Sequence, residues 1–232
     1  MKQSLLILAV SSLTALGASQ ASAAPYIGAG LGIDNTTVDT NFAPVNDITN
    51  HDLDDFNQSV TQGNAHVLAG YEADFHKQYF IAGEVHADTS IGGGNSANVT
   101  EADPNGDEIA DFTISSKRRY GFGFDVRPGF DLSSDIKLFA IAGYHWTNFD
   151  FHASAENETT SETGSADETT TLNGFDYGVG AQITLNENLA LRAQFKQSQF
   201  QATHIRNNDG TAISKFSPRS NQTSLDIIYS FG

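Results

Sequence analysis

Eight stretches of this chain alternate apolar and polar residues, near 25–34, 64–75, 78–89, 116–130, 135–151, 171–184, 188–205 and 220–232. Period two is the side-chain repeat of a β-strand, not of a helix. The connections narrow the fold further. Those after the second, fourth and sixth stretches are tight, at 75–78, 131–135 and 185–188. Those after the first, third, fifth and seventh are long, over about 35–63, 90–115, 152–170 and 206–219. An up-and-down meander places alternate connections at opposite ends, so all the long ones share one end. That asymmetry belongs to an all-β, eight-stranded, antiparallel transmembrane barrel with short turns on one side and long surface loops on the other. A soluble β-sandwich scatters its loop lengths over both ends.

The two strand faces differ in kind. The first strand sets Ile27, Ala29, Leu31 and Ile33 against Gly28, Gly30 and Gly32. The fourth sets Tyr120, Phe122, Phe124 and Val126 against Arg119, Asp125 and Arg127. Alternation alone does not say which face meets water. Glycine crowds the charged face, as a narrow lumen requires. Aromatics gather near strand ends (Phe75, Tyr79, Phe130, Tyr229, Phe231), as in an interfacial girdle. The expectation is therefore apolar face to lipid, charged face to lumen. A tilted spanning strand needs about 9–11 residues, and any excess lifts the longer hairpins above the membrane.

Residues 1–23 read as a secretory signal: Lys2, an apolar run from Leu5 to Val10, then Ala21 and Ala23 before the cleavage point. Residues 24–232 form the barrel domain. Export to the outer membrane follows. The chain has no cysteine, so its sheet and core must hold it without disulfides. A formal net charge of −16 argues against a nucleic-acid partner, whose phosphates demand a basic face.

The ordered set of strands carries a resemblance. "APYIGAGLGI" at 24–33, "HVLAGYEADF" at 66–75, "QYFIAGEVHAD" at 78–88, "RRYGFGFDVRPGF" at 118–130, "KLFAIAGYHW" at 137–146 and the closing "DIIYSFG" are similar to eight-stranded outer-membrane barrels. The chain resembles the OmpA-type transmembrane domain and the opacity-protein or surface-antigen porin-like proteins of Gram-negative bacteria. The expected role is that of a surface protein, structural or interfacial, with a narrow porin-like channel for small solutes and a lipid A-modifying enzyme as the alternatives. The resemblance implies that interior ion pairs can act as a gate, and that a C-terminal row ending in an aromatic is read by the barrel assembly machinery. Leu225, Ile227, Tyr229 and Phe231 form that row here, with Gly232 after the aromatic as a departure.

Parity places Glu72, Glu84, Arg127, Asp176, Arg192, Lys196 and Asp226 in the lumen, joined by His86 and His145. Buried charges must pair, and neighbouring strands point to Glu84 with Arg127 and Arg192 with Asp226. At the outer end of the fourth strand, Lys117, Arg118 and Arg119 form a cationic cluster suited to lipid phosphates, with Arg118 outward. The first three long loops carry five acidic residues each and no Lys or Arg, so the outer face is acidic. That face suits adhesion to a basic host or matrix surface, or bridging to lipopolysaccharide through divalent cations. His152, Ser154 and Glu156 offer the residue types of a lipid A deacylase or acyltransferase, without the flanking residues of those enzymes. "DPNGDEIAD" at 103–111 lacks the ligand spacing of a calcium loop, so neither metal nor cofactor is expected.

Overall fold

The computed structural model describes residues 23–42, 56–75, 78–92, 95–102, 108–157, 162–206 and 212–231. Residues 1–22 of the signal segment and seven of the fifteen acidic loop positions (Asp47, Asp52, Asp54, Asp55, Asp103, Asp107 and Glu158) lie outside these residues. Ten strand segments follow in order: β1 (Ala23–Phe42), β2 (Phe56–Phe75), β3 (Tyr79–Ile91), β4 (Asn95–Ala102), β5 (Glu108–Asp131), β6 (Ile136–Asn157), β7 (Glu162–Thr184), β8 (Leu189–Phe200), β9 (Thr203–Arg206) and β10 (Ala212–Ser230). All pair antiparallel, in the order β1-β2-β3-β5-β6-β7-β8-β10. β4 pairs with β5 beyond the end of β3, and β9 pairs with β10 beyond the end of β8. Each short segment thus prolongs its predecessor, and the barrel has eight staves. Gly92, at the break between β3 and β4, has φ of 112°, a conformation closed to most L-residues.

β10 returns to β1 and closes the sheet from Tyr26↔Ser230 to Phe42↔Ser214. Closure removes both edges, so the backbone groups of every stave are paired on two sides, the condition for crossing hydrocarbon. The tight turns are tied locally. Leu132 and Ser133 amides both donate to the Ile136 carbonyl at 2.8 and 3.2 Å. Asn186 Oδ1 accepts from the amides of Asn188 and Leu189 at 3.0 and 2.9 Å.

The apolar face points outward. Leu31 (65 % exposed), Val179 (61 %) and Phe175 (67 %) stand among many large apolar side chains on the outside. In water so continuous an apolar surface would aggregate; in a bilayer it is the lipid contact. The girdle residues Phe75, Tyr79, Phe130, Tyr229 and Phe231 are all exposed.

The staves run further than apolar alternation predicts. β1 continues nine residues past Ile33, and β6 reaches Asn157. The long connections at 35–63 and 152–170 are therefore partly strand. The extension is held by cross-strand polar pairs on the outer surface: Asn35 Nδ2 to Thr61 Oγ1 at 2.8 Å, Ser59 Oγ to Asn35 Oδ1 at 3.0 Å, Thr169 Oγ1 to Asp150 Oδ1 at 2.9 Å. Threonine fits a pleated sheet and its hydroxyl pairs across it, so a polar segment makes strand as well as an apolar one.

The inner face is layered. At the turn end, Tyr26, Leu68, Ala82, Ala190 and Ile228 pack as one apolar cluster and Phe80, Phe139 and Ile141 as another. At the loop end, Val38, Phe149, Leu172 and Phe200 form a third. These inward apolar layers are a correction to the simple division into an apolar outside and a charged inside. Glycines make room for the large groups between. A Cβ on Gly30 would fall onto Asp226 Oδ1 and within 2.7 Å of His66 Nε2. Gly30→Val is expected to lower the urea-unfolding stability of the refolded barrel by about 1–3 kcal/mol through overpacking, and an unchanged midpoint would refute so tight a lumen.

Candidate functional site

Between the floor and the cap lies a layer of buried charge. The carboxylates of Asp34, Glu84, Asp88, Asp125, Asp176 and Asp226 meet the cations of Arg118, Arg127, Arg192 and Lys196, with His66, His86 and His145 among them. Each comes from an inward parity position on its strand. A strand that delivers one inward charge delivers the next two residues along, which is why Glu84, His86 and Asp88 stack on β3.

Glu84 is the lower hub. Its Oε1 takes Arg127 Nη2, and its Oε2 takes Arg192 Nη1 at 2.6 Å and the Tyr26 hydroxyl at 3.0 Å. Glu84 with Arg127 is as parity predicts. Arg192 with Asp226 is not, although the two are cross-strand neighbours. The Arg192 guanidinium reaches over the lumen to Glu84 instead, and its Nε donates to Gln182 Oε1 at 3.0 Å. Asp226 pairs with His66 at 2.8 Å. The aromatic floor favours this reach: Arg192 lies 5.2 Å over the Tyr26 ring and Arg127 5.4 Å over Phe139.

Lys196 is the middle hub. Its Nζ stands 3.1 Å from Asp176 Oδ2, 3.8 Å from Asp125 Oδ2 and 3.2 Å from His86 Nε2. An ammonium only donates, so His86 Nε2 accepts, and its Nδ1–H faces Asp125 at 3.5 Å. Two donor sets here have metal-like spacing, His86–His145–Asp176 and Glu84–His86–Asp125. Lys196 Nζ faces His86 and Asp176 of the first set and His86 and Asp125 of the second.

Arg118 is the upper hub, and its placement overturns the expectation for the "KRRY" run. It is 2 % exposed and lies in the lumen. It holds Asp34 through Nη1 and Asp88 through Nη2, the latter at 2.5 Å, and sits 3.4 Å from His145 Nε2. Asp34 also accepts from Ser220 Oγ at 2.5 Å and Thr36 Oγ1 at 3.2 Å. Arg118 is thus no lipid contact. The cause is a β-bulge on β5, where the register with β6 slips between Arg118 and Gly121. Two successive residues, Arg119 and Tyr120, then face outward, and parity counted from the aromatic side comes out reversed at both Arg118 and Arg119. Lys117 and Arg119 remain on the outer surface.

Glu72 stands at the turn-end mouth rather than in the network, half-buried and paired with Lys137 at 2.5 Å. His66, Asp34, Asp88 and Asp125 belong to the network without having been singled out. Parity with Glu84 and Arg127 was signal enough for Asp88 and Asp125. Asp34 reads in sequence as a strand end, because its neighbours turn polar there. His152 lies on β6; the side chains of Ser154 and Glu156, like those of the calcium-type run at 103–111, fall outside the described residues.

The network leaves little space. A cavity of about 10 Å³, room for about one water, is lined by His66, Glu84, His86, Asp125, Arg127 and Lys196 among others. Several atoms of its lining, including Asp125 Oδ1, Arg127 Nε and Gln194 Oε1, have no hydrogen-bond partner among the described residues. A water there would satisfy some of them.

A search against curated proteins finds no match. Among solved structures, the chain is similar to the outer membrane protein OprG from Pseudomonas aeruginosa (12 % identity, 92 % of this chain and 98 % of that one, TM-score 0.49). It is also similar to Neisserial surface protein A (16 %, 90 % and 99 %, TM-score 0.41). A further likeness is to the outer membrane protease OmpT from Escherichia coli (8 %, 90 % and 97 %, TM-score 0.48). The family description "Outer membrane protein beta-barrel domain" matches residues 5–231. With that match over nearly its whole length, and a closed barrel whose apolar face is outermost, the chain belongs to the outer membrane protein β-barrel family.

Proposed function

We propose that this protein is a closed barrel with a structural and interfacial role, stabilising the outer membrane and presenting acidic loops for adhesion or for cation-bridged contact with lipopolysaccharide. The observation that carries the reading is the layered lumen. An ion-paired stratum with space for about one water lies between an aromatic floor and an apolar cap. Ions do not cross an apolar constriction without dewetting cost. The loop charges supply the interfacial half: acid above the membrane repels like-charged surfaces and attracts basic ones.

The second reading, a narrow channel for small solutes, rests on the partner choice of Arg192. Its cross-strand neighbour Asp226 keeps one oxygen without a partner among the described residues, so a swing from Glu84 to Asp226 is available to it. One experiment separates the two. In planar bilayers wild type is expected to stay closed. Glu84→Gln removes the charge that holds Arg127 and Arg192, and under the gate reading raises the open fraction about tenfold, the worth of one charge-assisted hydrogen bond. Identical traces from both proteins dispose of a gate at Glu84 and leave the closed barrel. The same reading makes the protein a non-enzyme: incubation with lipid A is expected to leave the lipid's mass unchanged.

A further inference from the structure

The bulge on β5 does more than bury Arg118. It turns Lys117, Arg119 and Tyr120 to the outer surface within four residues of one strand. Tyr120 is 57 % exposed and is the last apolar residue of its stave before the two cations. Below it stands a continuous aromatic shelf. Phe122 stacks on Trp146 (5.2 Å, 14°), Trp146 meets Tyr144 edge-on (4.8 Å), and Tyr144 meets Phe175 edge-on (5.1 Å). Above it on β6 and β7, Asn148 Nδ2 bonds Thr171 Oγ1 at 3.4 Å, and these outward positions are amides and hydroxyls. The boundary between lipid-facing and polar residues therefore runs just under Lys117 and Arg119.

The local charges are arranged for an anion. Arg119 is held by Asp150 through Nε. The other oxygen of Asp150 accepts from Thr169 Oγ1 at 2.9 Å, so that carboxylate is engaged on both sides. A grip at Nε fixes the guanidinium plane and leaves its two terminal nitrogens, which make no other ion pair among the described residues, for a second acceptor. Lys117 is exposed beside it, across from Asp150 in register. In a chain of net charge −16, with acidic loops beyond this level, a fork and an ammonium side by side at the membrane boundary are a local inversion of sign.

We propose that Lys117, Arg119 and Tyr120 form a binding site for the phosphate of an outer-leaflet glycolipid, with its acyl chains on the Phe122–Trp146–Tyr144 shelf. A planar guanidinium and an ammonium match a phosphate monoester in charge and in hydrogen bonding. The phenol of Tyr120 sits at the height of the ester and sugar oxygens, where amphipathic rings collect. The amide and hydroxyl row of Asn148 and Thr171 suits sugar hydroxyls. The occupant is a phosphorylated glucosamine lipid rather than a free phosphate, because the site is open to the bilayer along its apolar side. It stands on the outer surface and is independent of whether the lumen conducts.

The test uses full-length protein refolded into phosphatidylcholine vesicles that contain a minor fraction of lipid A, or of enzymatically dephosphorylated lipid A. After extraction in mild detergent and affinity capture, co-purified lipid is counted by mass spectrometry. Wild type is expected to retain phosphorylated lipid A. Lys117→Gln/Arg119→Gln is expected to lose about tenfold of it, since each interfacial cation contributes substantially to anionic-lipid attachment. Lys117→Arg/Arg119→Lys keeps both charges and is expected to retain the lipid. Arg219→Gln removes an exposed cation on β10, where it pairs with Asp39 at 2.7 Å, and is expected to change nothing. Heat-modifiable mobility confirms that each variant is folded. Equal retention by wild type and the double glutamine variant overturns the site. So does equal capture of the dephosphorylated lipid, or a loss in Arg219→Gln as large as in the double variant.

Discussion

Arg118→Ala lowers the stability of the refolded barrel by about 3–5 kcal/mol, read as a fall in the urea-unfolding midpoint from micelles. The adjacent Lys117→Ala and Arg119→Ala stay within about 0.5 kcal/mol of wild type, as exposed positions do. The contrast follows from where the bulge puts each side chain. Arg118 is the cation shared by Asp34 and Asp88, which are buried on β1 and β3. Removing it leaves two carboxylates in a layer roofed by Val38, Phe149, Leu172 and Phe200, with His145 as the remaining nearby base. An uncompensated buried charge costs more than the ion pair itself contributed. The triple change Arg118→Met, Asp34→Asn, Asp88→Asn removes the charges together and is expected to recover part of the loss. If Arg118→Ala behaved like Lys117→Ala, Arg118 would be at the surface and the bulge misplaced.

Arg118 also shows where a strand pattern stops being readable. Parity carries through an unbroken ladder, and it put Glu84, Arg127, Asp176, Arg192 and Asp226 on the inner face where they stand. One extra residue in the ladder exchanges the faces of everything beyond it, and no residue in "KRRYG" announces the bulge. The identity of ion partners is a second limit. Sequence order and register bring Arg192 beside Asp226, yet a long side chain in a narrow lumen reaches partners on other staves, such as Glu84. The third limit is the inner aromatics. Tyr26, Phe80 and Phe139 read as lipid-facing by type, yet they are in step with Gly28, Glu84 and His145 on their strands, and parity rather than residue type is what sets them on the floor of the charge layer. The outer face was legible because Ile27, Leu31, Phe122 and Leu225 sit in long regular runs whose length matches a bilayer.

Deleting residues 229–232 abolishes membrane assembly, seen as loss of the protein from the outer-membrane fraction and of its heat-modifiable gel mobility. Deleting Gly232 alone leaves both intact. The reason lies at the seam. Tyr229 and Ser230 pair with Ile27 and Tyr26, and Tyr229 also pairs with Leu189 on the other side. The Ser230 amide donates to the Asn188 carbonyl at 2.8 Å, and the Phe231 amide to the Pro25 carbonyl at 3.0 Å. Without them the first turn of β1 and the end of β8 each lose a neighbour inside the hydrocarbon, where an unpaired backbone group costs several kcal/mol. Phe231→Ala separates closure from recognition. It keeps every backbone pair and removes a ring that packs edge-on against Tyr229 at 5.0 Å. Refolding of purified Phe231→Ala in micelles is therefore expected to match wild type. The family resemblance implies that the row Leu225, Ile227, Tyr229, Phe231 is an assembly signal, and on that reading the same variant is expected to reach the outer membrane of cells in reduced amount. Normal assembly of Phe231→Ala in cells would confine the role of this terminus to sealing the barrel.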